Sequence, residues 1–270
     1  MTNNRITVFS KPWNLPLAEM AAAVKKLGFD GVELPVRPGF AVTPENVERD
    51  LPEAAHILAD HGLVIGSVAG ATDEPTIAAC AAAGVPIIRT LVKVPEGTGY
   101  MAYMHDAIRE YETLLPALEN SGVTIGIQNH CYREVSSVMG IRYLVEKFPA
   151  SAVGAVLDVG HCSLAGEFAD LAVDILWDHL CLVNLKNAVW KRTNDAKEKT
   201  PEFGCFWTLG REGMADWKKF IAELQKRNYA GDFCLTAEYS AKVGEDVTGE
   251  SDTLIPMIAD DLAYARSLLS

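Results

Sequence analysis

The sequence predicts a single (β/α)8 barrel, and three observations carry that expectation. The chain has 270 residues, about the length of one such barrel. Short apolar, β-branched runs alternate with longer amphipathic stretches through eight strand–helix pairs, the pattern of parallel strands joined by helical crossovers. No G-x-G-x-x-G follows the first run, where an open, doubly wound nucleotide-binding sheet would carry it.

The strand-like runs are RITVFS (5–10), GVELPV (31–36), VIGSVA (64–69), IIRTLV (87–92), TIGIQN (124–129), VGAVLDV (153–159), LCLVNLK (180–186) and FCLTAEY (233–239). Most are continuously apolar rather than alternating, as strands covered on both faces are. The helical patterns occupy 17–28, 47–62, 74–84, 101–122, 137–148, 167–179, 215–228 and 253–270. Several end at a glycine just before the next strand, at Gly28, Gly62, Gly84 and Gly122, matching C-terminal caps. Pro52 and Pro256 fall inside helical patterns and mark first turns or kinks. The whole of 1–270 reads as one domain. Its one long irregular stretch, 187–213, follows the seventh strand, on the face where barrels carry lids and binding loops.

Composition narrows the function classes. Hydrophobic residues make up 49% of the chain and charged residues 22%, enough for a large core and against global disorder. The net charge of −12 repels phosphate backbones, so no nucleic-acid partner is expected. There is neither a leader-like apolar segment nor an apolar run approaching eighteen residues, and no membrane partner is expected. Six cysteines are scattered without a C-x-x-C pair. Together these fit reduced thiols in a cytoplasmic protein.

Barrel enzymes place their chemistry at the C-terminal ends of the strands. The polar residues there are Glu33 on the second strand, Arg89 with Lys93 on the fourth, and Gln128, Asn129 and His130 on the fifth. The sixth strand ends in Asp158, with His161 three residues on; the seventh carries Asn184, Lys186 and Asn187; the eighth ends in Glu238. Oxygens of Gln128, Asp158, Asn184 and Glu238, from four consecutive strands, form a set suited to a hard divalent cation. Ordinary polar caps of barrel strands would read the same way. Lys186 shares an inward face with Asn184 because side chains alternate. It is placed either to stabilise an enolate or to form a salt bridge with Asp158 or Glu238. Arg89, Lys93 and Arg211 are candidates for an anionic substrate group, and Trp13, Trp190, Phe206 and Trp207 for a sugar face. Cys162 adjoins His161 in sequence, but neighbours in a strand-end turn rarely meet side chain to side chain.

The segments LGFDGVEL (27–34), SGVTIGIQNH (121–130), VLDVGHC (156–162), LVNLKNA (182–188), LGREGMADW (209–217) and LTAEY (235–239) together resemble the xylose isomerase-like barrel superfamily. That group contains sugar phosphate isomerases and epimerases, keto-sugar 3-epimerases and inosose isomerases. The resemblance implies a divalent metal (Mn, Mg or Zn) held by Glu, Asp, His and Glu at the ends of strands five to eight. The two glutamates act as bases on opposite faces of a substrate carbon.

Residue by residue, Asp158 and Glu238 match the family's aspartate and final glutamate, and His161 its substrate-contacting histidine. Gln128 stands in place of the first glutamate, Asn184 in place of the metal histidine, and Asn187 where an aspartate often stands. A glutamine amide does not accept a proton at neutral pH, and an amide in place of imidazole weakens transition-metal binding.

The sequence therefore predicts an isomerase- or epimerase-like enzyme that transfers a proton next to the carbonyl of a sugar, sugar acid or cyclitol. Catalytic roles fall to Glu238 as general base, His161 and Lys186. Substrate contacts fall to Glu33, Arg89, His130, Arg211 and Trp13. The alternatives are a one-base lyase or dehydratase and a non-catalytic carbohydrate-binding barrel with a degenerate metal site. A homodimer or homotetramer is the assembly the resemblance implies. The superfamily's DNA-repair branch, rich in histidine ligands, fits poorly, since residues 64–93 contain no histidine.

Overall fold

The computed structural model describes residues 4–242, 245–247 and 254–270. Eight parallel strands close into a barrel: β1 (Ile6–Phe9), β2 (Gly31–Pro35), β3 (Val64–Ala69), β4 (Ile87–Thr90), β5 (Thr124–Gln128), β6 (Val153–Asp158), β7 (Leu180–Leu185) and β10 (Phe233–Leu235). Around the ring the order is β1-β10-β7-β6-β5-β4-β3-β2. The crossover helices are α1 (Leu17–Leu27), α2 (Val47–Asp60), α3 (Glu74–Ala83), α4 (Tyr100–Ser121), α5 (Val138–Val145), α7 (Ala169–Leu176), α8 (Trp217–Lys226) and α9 (Leu254–Leu269). No helix among the described residues is long and apolar enough to cross a membrane.

The continuous apolar runs are explained by burial on both faces. Outward residues such as Val8, Val32, Ile88, Ile127, Leu157 and Val183 are fully buried with the helix faces in one large core. A smaller cluster of Phe9, Ala69, Val156, Leu182 and Cys234 forms separately, from alternate residues of the same strands. Above it the strand ends turn polar, where Glu33, Ser67, Arg89, Gln128, Asp158 and Asn184 are all buried. Gly28, Gly84 and Gly122 cap their helices in the left-handed region as expected.

Three local readings change. Residues 187–213 are not irregular: β8 (Ala188–Arg192) and β9 (Phe203–Trp207) pair as an antiparallel hairpin. A further short helix, α6 (Val159–Leu164), follows β6 directly and is N-capped by Asp158. The eighth barrel strand stops at Leu235, and Ala237 takes φ 51°, a costly conformation for a residue with a Cβ. β11 (Ser240–Lys242) and β12 (Glu245–Asp246) follow. Pro52 lies beyond the first turn of α2, while Pro256 falls in the first turn of α9. The start of the last helical pattern, residue 253, lies outside the described residues, as do residues 1–3.

Candidate active site at the carboxyl end of the barrel

A chain of buried hydrogen bonds crosses five strands, β2 to β6. Arg89 Nε donates to both carboxylate oxygens of Glu33 at 2.8 Å, and Nη2 donates to Oε1 at 2.6 Å. Ser67 Oγ donates to the same carboxylate at 2.9 Å. The other arm of the guanidinium, Nη1, donates to Gln128 Oε1 at 2.6 Å, and Gln128 Nε2 donates to Asp158 Oδ2 at 2.8 Å. Burial opposes the charge on Arg89, yet Glu33 outweighs it and holds the guanidinium above its ordinary value. Oδ1 of Asp158 accepts from the backbone N–H groups of Gly160 (3.0 Å) and His161 (3.1 Å). Burial nevertheless dominates and pushes the Asp158 carboxyl up to about 6, against the pull of Lys186.

Glu238 is clamped between two ammonium groups. Lys186 Nζ donates to Oε2 at 2.6 Å and Lys11 Nζ to Oε1 at 2.9 Å. Burial alone would raise this carboxyl, but the two lysines hold it far below the usual carboxylate range. Lys186 also stands 3.7 Å from the Trp207 ring centroid, supplied by the hairpin, and this is a close cation–π contact. Burial works against its charge, whereas Glu238 and Asp158 raise its pKa.

Two histidines complete the wall, with ring centroids 3.9 Å apart. His130 Nδ1 lies 3.1 Å from the Cys131 carbonyl. A carbonyl only accepts, so Nδ1 carries the proton and Nε2 keeps a lone pair. His161 has the opposite tautomer. Its Nδ1 accepts from Cys131 N–H at 3.2 Å, which places the proton on Nε2, an atom without a hydrogen-bond partner. Burial, followed by the positive charge of Lys186, lowers the pKa of both rings.

These groups surround a cavity of about 190 Å³ whose lining includes Lys11, Arg37, Arg89, His130, Asn184, Lys186 and Glu238, with Phe9 and Leu91 as apolar walls. It is smaller than a typical drug-sized pocket of about 300–1,000 Å³, and suits a monosaccharide-sized molecule.

The four oxygen donors expected to hold a divalent cation do not fit one. Gln128 Oε1 is occupied by Arg89, Asp158 Oδ2 by the Gln128 amide, and both oxygens of Glu238 by lysines. Asn184 Oδ1 alone has no partner. The ammonium of Lys186, bound to Glu238 and drawn by Asp158, supplies the positive charge at this position.

A second group, His130, Cys131 and His161, brings three potential ligand atoms within 4.8 Å of one another. The protonated Nε2 of His161 offers a hydrogen rather than a lone pair, since its Nδ1 is already accepting. A hydrogen bond with Cys205, together with burial, keeps the Cys131 thiol far above its ordinary pKa.

Nine of the residues singled out from sequence converge: Glu33, Arg89, Gln128, His130, Asp158, His161, Asn184, Lys186 and Glu238. Two substrate candidates do not. Arg211 lies over the Tyr264 ring at 3.8 Å, because its turn folds back onto α9. Trp13 is 4% exposed within the main core, held there by the early turn after β1. Lys93 is exposed beside Glu134, and Trp190 donates to the Leu164 carbonyl. Lys11 and Arg37 line the cavity but escaped the sequence reading. Each sits one or two residues beyond its strand, Lys11 in SKPW and Arg37 in VRPG, where loop cations are common.

A family model described as xylose isomerase-like TIM barrel matches residues 21–255. No curated protein matches the chain. Among solved structures, a D-psicose 3-epimerase from Clostridium cellulolyticum H10 superposes with a TM-score of 0.73 at 14% identity, covering 98% of this chain and 99% of that one. A 3-keto-D-glucoside 4-epimerase from E. coli gives 0.70 at 13% identity, with 98% and 100% covered. A probable 3-DHS dehydratase from Bacillus anthracis gives 0.66 at 12%, with 98% and 99% covered. At such identities the likeness is one of fold.

Proposed function

Because the chain belongs to the xylose isomerase-like TIM barrel family, we propose that it is an enzyme that moves a proton next to the carbonyl of a sugar, sugar acid or cyclitol. The observation that carries this reading is the pairing, on one cavity wall, of a neutral imidazole with a free Nε2 lone pair and a buried ammonium. His130 Nε2 takes the proton from the carbon beside the carbonyl. The C–H electrons form the C=C bond, and the carbonyl oxygen gains negative charge next to Lys186 Nζ. Preorganised positive charge at a developing oxyanion is the largest common source of rate acceleration.

Glu238 is reassigned by this reading. A carboxylate held by two ammonium groups is a poor proton acceptor, so its part is to keep Lys186 charged and aimed. His161 packs against His130 with the rings tilted by 36° and orients it. Lys186 fills the electrostatic role of a divalent cation.

A single base serves two outcomes from the same enolate. The His130 imidazolium delivers the proton to the former carbonyl carbon from the same face while the neighbouring hydroxyl proton passes to the carbonyl oxygen, as in an isomerisation, or donates it to a β-hydroxyl that leaves as water, as in a dehydration. The likeness to both epimerases and a probable dehydratase supports keeping these together. The test is a panel of ketoses, keto-acids and inososes incubated in D2O and followed by proton NMR. Loss of the signal next to the carbonyl with the wild-type chain, abolished in His130→Gln, supports the reading. Binding without exchange for every compound would instead favour a non-catalytic carbohydrate-binding barrel.

A further inference from the structure

Positive charge around the cavity exceeds what its carboxylates balance. Glu33 is matched by Arg89, and Glu238 and Asp158 together by Lys186 and Lys11. Arg37 lines the same cavity, yet its guanidinium makes no hydrogen bond or ion pair among the described residues. Its nearest feature is the face of Phe9, 5.7 Å from the ring centroid, with Arg89 also over that ring at 5.1 Å. Arg37 is exposed at the cavity rim, where partial burial and the like charge of Arg89 lower its pKa and Glu33 and Glu238 oppose that shift. A guanidinium with no carboxylate in contact keeps its donors available for charge-assisted hydrogen bonds to an anion in the cavity.

The backbone holds Arg37 in place. Phe40 N–H donates to the Arg37 carbonyl at 3.2 Å, and Arg37 N–H donates to the Val42 carbonyl at 3.1 Å. Between them Pro38 fixes its own φ and Gly39 takes φ 85°, the pattern of a type II turn. This rigid turn follows β2, which lies opposite β6 in the ring and three strands from both β5 and β7. Arg37 therefore stands across the cavity from His130 and Lys186. The chain as a whole carries a net charge of −12, so a local excess of cations departs from its general character.

We propose that Arg37 is the anion-binding residue of this cavity, and that the substrate is an anionic sugar derivative whose carboxylate or phosphate lies at the end remote from the reacting carbonyl. This deepens the proton-transfer reading, on which it rests only for the direction in which the substrate lies.

The experiment is titration calorimetry at low salt with three probes: D-fructose, 5-keto-D-gluconate and D-fructose 6-phosphate. At least one anionic probe binds the wild-type chain ten or more times more tightly than D-fructose. Preference for 5-keto-D-gluconate assigns a carboxylate, and preference for D-fructose 6-phosphate a phosphate. Arg37→Gln removes the preference while leaving the D-fructose affinity within about twofold, and Arg37→Lys retains part of it; urea melts check that both variants are folded. A wild-type protein that binds neither anion more tightly than D-fructose overturns the proposal. So does an anion preference that survives in folded Arg37→Gln. Since the readout is binding, an Arg37-dependent preference without deuterium exchange would sink the catalytic reading and leave this one standing.

Discussion

Lys186 and Glu238 form a part-buried ion pair of 2.6 Å at the mouth of the barrel, with the Trp207 ring also against the ammonium. Lys186 thus holds its charge in the cavity through three different elements: β7's own end, the loop after β10, and the β8–β9 hairpin. Lys186→Met removes that charge from the developing oxyanion. We expect kcat/KM to fall by about 10²–10³, the usual cost of losing one oxyanion-stabilising donor. Steady-state kinetics on the best panel substrate checks this, and a loss below tenfold would mean the enolate is stabilised elsewhere.

The pH profile follows from His130. In the proposed mechanism its neutral form is the base, and burial together with Lys186 lowers its pKa below the ordinary value. The base is competent above that lowered pKa and is lost as pH falls through it. The acidic limb of kcat/KM therefore lies below about 6.5, the reference value for histidine. His130→Gln abolishes the limb and reduces the rate by about 10²–10⁴. A limb that persists unchanged in the variant would point to another base.

Glu33 is 1% and Arg89 7% exposed, and their forked pair anchors the hydrogen-bond chain to Gln128. Glu33→Ala leaves a buried guanidinium without its carboxylate, which costs about 3–5 kcal/mol. Urea unfolding measures it. The double variant Glu33→Ala with Arg89→Met recovers part of that loss, because no unpaired charge remains.

A second buried carboxyl, Asp261 on α9, accepts from Gly210 N–H at 2.7 Å and Tyr239 O–H at 2.9 Å, yet burial pushes it up to about 6. Its folded pKa exceeds its unfolded one, so between roughly pH 4 and 6 the folded state binds the extra proton. The stability difference between wild type and Asp261→Asn should therefore move in favour of wild type by roughly 1 kcal/mol as pH falls from 7 to 5. Paired urea melts at the two pH values read this directly, and a difference that does not change with pH would contradict it.

The barrel was legible because strands covered on both faces leave continuous apolar runs, and the two-residue alternation placed Asn184 and Lys186 on the same inward face. What escaped depends on partners distant in sequence. That Arg89 takes the Gln128 oxygen, and so removes it as a metal ligand, follows from the β4–β5 pairing of the closed ring. The hairpin at 187–213 read as irregular because its strands mix charged, small and aromatic residues without regular alternation. Lys11 and Arg37 belong to turns whose direction no local pattern encodes, and the tautomers of His130 and His161 are set by opposite groups of a single residue, the Cys131 carbonyl and amide.

The account turns on Lys186 standing where a divalent cation would otherwise act. The most direct test is deuterium exchange from D2O into the best-bound ketose derivative, using protein stripped with a strong chelator and verified by elemental analysis. The account predicts exchange at the full wild-type rate in the stripped protein, abolished in Lys186→Met and in His130→Gln. Exchange that disappears on stripping and returns only with added Mn²⁺, Mg²⁺ or Zn²⁺ would contradict it.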